Sequence, residues 1–440
     1  MNHRLESAQC RPKLTISPLG TDRVPHGPRG ALRQVRGLRL FWLGQLLTLT
    51  GSEVSLLALP VVAASLLHCT GAQIGVLVAL EFLPPMLLGL HIGALFDLYA
   101  SKAILIGSDL ARGTLLAAIP VLYATGRLNF GVLCGLTVLL NVLRTVFDSG
   151  YPVLIKRIVE IDQLGTTNVS LGKARSLAET AGPPLGGFLI AAMGAAQAVI
   201  ADAVSFFCSA LFMGFIRERA PQAPAGRVNP LKDVLGGARI IARNPVLKLM
   251  IGVSATWNLF YAMMWTLYIA YLLRVLELDT RIIGLTYLSG GIGFFVGTAL
   301  LSWLRKSLSL QATATVGIWI TVGWGILAAA ADGEMLTKTA LVFLASFAFA
   351  LGQALYNISA LTLRQLSTPE EYLGRVSAMA SVLFRSTMPF GALLAGAFSE
   401  FMSLRQVMLI GTAGLALSAL ILTILRPRHT EAIALQRGQE

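Results

Sequence analysis

Residues 404–425 read LRQVMLIGTAGLALSALILTIL, and after Arg405 the next 20 residues carry no charge. A helix crossing the ~30 Å hydrocarbon core of a bilayer needs about 20 apolar residues. This stretch therefore reads as a membrane span. Working back from it, eleven more apolar segments appear, at 40–66, 72–96, 103–124, 130–154, 169–193, 196–216, 246–272, 280–303, 310–331, 338–363 and 374–399. They are long continuous runs, without the ~10-residue alternation of a membrane β-barrel. The chain is thus an all-α, polytopic membrane protein with twelve transmembrane helices.

Composition agrees. Of 440 residues, 55% are hydrophobic and 13% charged, with mean hydropathy +0.71. A soluble domain carries about 25% charged residues, so a soluble enzyme, a disordered chain and a disulfide-rich secreted module are excluded. The net charge of +13 would suggest nucleic acid in a soluble protein. In a membrane protein basic loops instead set orientation, and no nucleic-acid partner is expected.

The longest interruption, 217–245, holds six basic residues, Pro221 and Pro224, and an amphipathic stretch from Leu231 to Ile241. It divides the segments six and six. The expected domains are a disordered basic tail at 1–39, a six-helix bundle at 40–216, a linker with an amphipathic helix at 217–245, a second six-helix bundle at 246–425 and a tail at 426–440. Placing both termini and the linker on one side puts 24 Lys and Arg there against 5 on the other. That bias makes the side cytoplasmic. The halves also repeat. Gly93 and Lys102 are matched by Gly297 and Lys306, Pro184-Leu185-Gly186 by Pro389-Phe390-Gly391, and Leu164-Gly165 by Leu373-Gly374, at offsets of 204, 205 and 209. Such 6+6 duplication is typical of secondary transporters, whose substrate site lies between the halves near the midplane.

Charges inside spans are costly and mark function by default. Glu53, Glu81, Arg144, Asp148, Glu179 and Arg385 fall near mid-depth, five of them in the first half. Arg144 and Asp148 are four apart and can pair on one helix face. The set reads either as a proton-binding carboxylate network or as structural ion pairs. Arg385 would meet an anionic substrate group or pair across the halves. In the seventh segment Trp257, Tyr261, Trp265 and Tyr268 share one helix face, giving either a cavity wall that stacks on an amphipathic substrate or a packing seam. Gly182-Pro183-Pro184-Leu185-Gly186-Gly187 in the fifth segment reads as a tightly packed hinge or as packing alone. Gly93 to Lys102, with Asp97 placed to accept from helix N-terminal amides, reads as a latch or as an ordinary short loop. Asp109 and Arg112, one turn apart in the third segment, go with it.

There is no phosphate-binding loop of the Walker type and no metal-ligand spacing. The four cysteines, Cys10, Cys69, Cys134 and Cys208, form no disulfide framework. No enzyme activity and no cofactor are expected.

Together these residues resemble the major facilitator superfamily over 40–425. Gly93, Asp97 and Lys102 stand where that family's motif A has them, although Leu98, Ala100 and Ser101 depart from it. Gly182 to Gly187 is similar to motif C of its exporters. Arg144 resembles the fourth-helix arginine of proton-coupled members, with Asp148 where Gly is usual. Asp109-Leu110-Ala111-Arg112, Phe147-Asp148, Asp202 to Phe206 and Leu361 to Arg375 are similar to the bacterial subgroup of the enterobactin exporter and macrolide-efflux proteins. The resemblance implies two pseudo-symmetric bundles in a bacterial plasma membrane. It also implies a monomer that exports a small amphipathic molecule (a siderophore or drug) against protons by alternating access. A lipid flippase of the same fold and a non-transporting receptor or assembly factor are the alternatives.

Overall fold

The computed structural model describes residues 36–88, 92, 101–159, 163–216, 218, 230–369 and 372–425. Among them there are helices and no strand. The first six are α1 (Arg36–Val61, continued by a π-helical turn at Val62–Leu66), α2 (Gly71–Leu88), α3 (Ser101–Ala124), α4 (Phe130–Ile158), α5 (Leu164–Met193) and α6 (Ala195–Gly214). A short helix α7 (Pro230–Arg243) follows. The second set is α8 (Pro245–Arg274), α9 (Thr280–Leu304), α10 (Leu310–Ala329), α11 (Met335–Leu366), the broken pair α12 (Leu373–Arg385) and α13 (Met388–Ser399), and α14 (Leu404–Ile424).

Local chemistry sets many of these boundaries. The side-chain oxygens of Asn129, Asn244, Asp279, Ser309 and Ser403 each accept a hydrogen bond from a first-turn backbone N–H. Such residues satisfy donors that a helix start leaves free. Ser403 and Gln406 form a reciprocal capping box. Eleven spans are long and apolar enough to cross a membrane, with α12 and α13 counted as one. The twelfth is α5, whose Lys173, Arg175, Glu179 and many small polar residues lower its hydropathy.

Packing reveals the duplication directly. Within the first half α1 packs on α5 and α6, α3 on α4 and α6, and α2 on α4. Within the second half α8 packs on α13 and α14, α10 on α11 and α14, and α9 on α11. Each pair has its counterpart. Between halves, α5 lies against α9 and α13 against α2, and these contacts too are exchanged by the pseudo-twofold. The fold is therefore two six-helix bundles related by pseudo-symmetry.

The face where α1 begins, shared with α7, is called here the terminal face, and its opposite the far face. The halves approach most closely toward the far face. A Cβ on Gly187 would lie 2.5 Å from the Thr280 carbonyl oxygen, and one on Gly284 would lie 2.6 Å from that of Pro183. A Cβ on Gly75 would lie 2.6 Å from the Ala392 carbonyl oxygen. Small residues let helix backbones meet this way. Arg274, in the last turn of α8, adds a polar link across the halves. It donates to the carbonyls of Ala64 (2.5 Å) and Cys69 (2.9 Å), where the π turn ends α1.

Candidate functional site

Four helices of the first half bring their charges together. Glu53 comes from α1, Glu81 from α2, Arg144 and Asp148 from α4, and Arg175 and Glu179 from α5. Arg144 Nε lies 3.8 Å from Asp148, and Arg175 Nε lies 2.7 Å from Glu179. Both pairs have the four-residue helical spacing that sets side chains one above the other. Their side chains are half to two-thirds exposed. Glu53 lies within electrostatic range of Glu179, Arg144, Arg175 and Asp202, and Glu81 within range of Arg144. Arg144 thus acts on carboxylates of both α1 and α2. The five charged residues singled out in the first half form one cluster.

The glycine run of α5 builds this cluster. Gly182 lets α5 lie on the Glu53 side chain, and Gly186 lies against Val54. Gly187 faces the other way, onto Gly284 of α9. One glycine-rich turn therefore holds α1 on one side and the opposite half on the other. Pro183 and Pro184 do not interrupt α5, which runs unbroken from Leu164 to Met193.

The aromatic stripe of α8 splits in two. Trp257 and Tyr268 are buried at 4% and 3% exposure. Trp257 stacks 4.9 Å from Tyr261, lies 6.1 Å from Phe349, and donates its indole N–H to Thr321 Oγ1 at 3.2 Å. Tyr268 meets Trp324 edge-on at 5.0 Å. These two are the packed core of α8, α10 and α11, not a wall. Tyr261 and Trp265 are half-buried, 5.8 Å apart, and Trp265 meets Tyr287 of α9 edge-on at 6.0 Å. Tyr287 is in electrostatic range of Glu53. The carboxylate cluster of one half and the half-buried aromatics of the other therefore adjoin across the seam.

The remaining residues fall elsewhere. Asp109 and Arg112 form a buried ion pair inside the first half. The Arg112 guanidinium lies over the rings of Phe147 (4.5 Å) and Phe206 (4.2 Å), a cation–π arrangement. Lys102 Nζ donates to the carbonyls of Gly214 and Ile216, both at 2.7 Å. It thereby satisfies the end of α6 within its own half, where a cation suits the helix dipole. Gly93 and Asp97 lie outside the described residues. Arg385 ends α12, is exposed, and has no ion-pair partner among the described residues. Among those residues no group of His, Cys, Asp and Glu is arranged to hold a metal ion.

Two participants were not foreseen. Arg175 was detectable from its four-residue spacing to Glu179. Arg274 was not, because its partners Ala64 and Cys69 come from the opposite half.

A sequence profile of the Major Facilitator Superfamily matches residues 41–392. The chain is a membrane transporter by fold and family, and it belongs to the Major Facilitator Superfamily. It is 26% identical over 380 residues to the multidrug efflux pump Tap of Mycolicibacterium fortuitum, covering 82% of this chain and 88% of that one. It is 25% identical over 273 residues to an uncharacterised MFS-type transporter of Sinorhizobium fredii, spanning 60% of this chain and 64% of the relative's length. Solved structures share the fold. A mutant of the nucleoside transporter NupG superposes with TM-score 0.74 at 12% identity, covering 89% of this chain and all of that one. An inward-facing bacterial homologue of the iron transporter ferroportin superposes with TM-score 0.72 at 16% identity, covering 89% and 99%.

Proposed function

We propose that this chain exports a small amphipathic molecule, drug or siderophore, across a bacterial inner membrane in exchange for protons. The observation that carries the reading is the seam. Mid-depth carboxylates and arginines of one half adjoin half-buried aromatics of the other, next to helices that meet at glycines. In this reading the terminal face is cytoplasmic, so the arrangement closed at the far face is open to the cytoplasm. Substrate enters there and stacks on Tyr261 and Trp265, with Arg385 free to meet an anionic group. Glu53, Glu81, Asp148 and Glu179, held beside Arg144 and Arg175, take up and release protons as the site changes sides. A carboxylate between desolvation and a neighbouring cation is sensitive to such a change. The relative named as a multidrug efflux pump supports export.

The test uses everted vesicles with a proton gradient and ethidium as probe. Ethidium should be concentrated into the vesicles and should dissipate the gradient. Asp148→Asn should impair this proton-coupled movement while leaving expression intact. Unchanged coupling would remove Asp148 from the mechanism. Absence of any gradient-driven movement across cationic, zwitterionic and siderophore probes would overturn antiport.

A further inference from the structure

Behind α1, away from the seam, lies a second carboxylate. Asp202 of α6 is 2% exposed. Its Oδ2 accepts from Ser55 Oγ at 2.6 Å, and its Oδ1 lies 3.5 Å from Ser52 Oγ and 3.3 Å from Ser205 Oγ. Gly51 makes this approach possible, since a Cβ there would stand 2.7 Å from Asp202 Oδ1 and 2.9 Å from its Cα. No cation lies in ion-pair range of Asp202 among the described residues. Charged groups within electrostatic range are Arg112 of α3, which already holds Asp109, and Glu53 of α1. Asp148 of α4 also acts on Arg112, and Arg175 and Glu179 of α5 act on Glu53. Asp109 is itself fully buried, and its Oδ2 has no hydrogen-bond partner among the described residues.

The core between α1, α3 and α6 thus holds two buried carboxylates and one guanidinium. An uncompensated charge in such surroundings is costly, and the usual remedy is to neutralise it. One proton balances the count. The surroundings of Asp202 suit both of its states. Three hydroxyls can donate to the carboxylate. When the proton is on, the carboxyl O–H donates to Ser55 Oγ, and the serine hydroxyl turns its hydrogen elsewhere. Ser205 already has such an alternative, the Asp202 carbonyl at 2.7 Å.

We propose that Asp202 carries an exchangeable proton and is a second proton-holding residue, coupled through α1 to Glu53 on the seam face of the same helix. Its place in turnover rests on the antiport reading. The proton itself does not.

The proton is tested on the purified full-length chain by infrared titration in H2O and D2O. A protonated-carboxyl stretch should be present and should be lost in Asp202→Asn. Ser55→Ala, which removes the shortest hydrogen bond, should shift the band to higher frequency. Asp202→Glu keeps a carboxyl and should move the band without abolishing it. These two variants keep the test open should Asp202→Asn fold poorly. A spectrum in which none of the three variants changes a band overturns the proposal. In vesicles, Asp202→Asn should lose ethidium-driven proton movement. Wild-type behaviour there overturns the role in turnover. If the wild type moves no protons but the band behaves as expected, the proton site stands and the antiport reading falls.

Discussion

The two halves share a scaffold and differ in content. Their helices pack in the same pairs. Yet α1, α2, α4 and α5 carry six charges into the seam, while α8 and α9 offer Tyr261, Trp265 and Tyr287. They differ in backbone as well. In α5 the helix continues through Pro183 and Pro184. At the corresponding Pro389 the helix is broken, between α12 and α13. There Thr387 Oγ1 donates to the carbonyls of Phe384 (2.8 Å) and Ala255 (3.1 Å), and Ser386 Oγ to that of Leu383 (3.1 Å). Hydroxyls take over carbonyls that a break leaves free. Divergence between the halves thus altered side chains and one helix break while keeping the interfaces, because backbone contacts at glycine tolerate no added atom.

The largest effect should come from adding atoms where the halves are alike. Gly187→Leu and Gly75→Leu each place a side chain against backbone of the opposite half, which cannot give way. Overpacking of this kind costs about 1–3 kcal/mol, here levied only on the state closed at the far face. Both variants should express and yet lose ethidium accumulation in everted vesicles. Normal transport by either would show that far-face closure is not part of the cycle.

Next come substitutions that separate core from wall in the second half. Trp257→Ala should lower thermal stability in detergent by about 3–5 kcal/mol, the usual loss for a buried large aromatic. Tyr261→Ala should cost less than half as much, and should instead raise the ethidium concentration needed for half-maximal transport. If the two behave alike, the stripe is a single packing seam and the contrast between the halves loses its aromatic side.

That split also shows what the sequence could and could not reveal. Residues four apart on a helix are displaced by about 40° around its axis. From Trp257 to Trp265 the stripe therefore turns by about 80°, while Tyr268 returns to within about 20° of Trp257. The two residues that align are the two that are buried. The spans and the Arg144–Asp148 pair depend on near neighbours and were legible. Asp202 was not, because its hydroxyl partners on α1 lie about 150 positions away. The break before Pro389 has a local difference, Ser386-Thr387 where α5 has Ala181-Gly182, but it and the π turn of α1 went unread in the sequence. The buried self-pairing of Asp109 and Arg112 depends on two rings from α4 and α6.

Arg274 belongs to the second half but serves the junction, and its loss should have an intermediate effect. Arg274→Met removes two hydrogen bonds from a charged donor, each worth about 1.5–3 kcal/mol. Even the lower figure shifts a two-state balance by about tenfold. Cys69, buried at 1% exposure beside this link, is a native reporter. It should be alkylated faster from the far side in Arg274→Met. An unchanged rate would mean that the glycine contacts alone hold the far face shut.

The smallest effect should come from the exposed pair at the far end of the second half. Asp332 Oδ2 lies 3.1 Å from Arg405 Nη1, with side chains 71% and 35% exposed. The Gly333 N–H holds the Asp332 carboxyl below its ordinary range, with Arg405 adding to the effect. A depressed folded-state value means that any stabilisation is present at neutral pH and is lost only as pH falls through that depressed value. Exposed pairs of this kind contribute little. Asp332→Asn should therefore leave thermal unfolding unchanged at neutral pH and at strongly acid pH alike, and should leave ethidium transport intact. A clear loss of transport would mean that charge at the far end of the second half is functional after all. The division of labour between a charged half and an aromatic half would then fail at its simplest point.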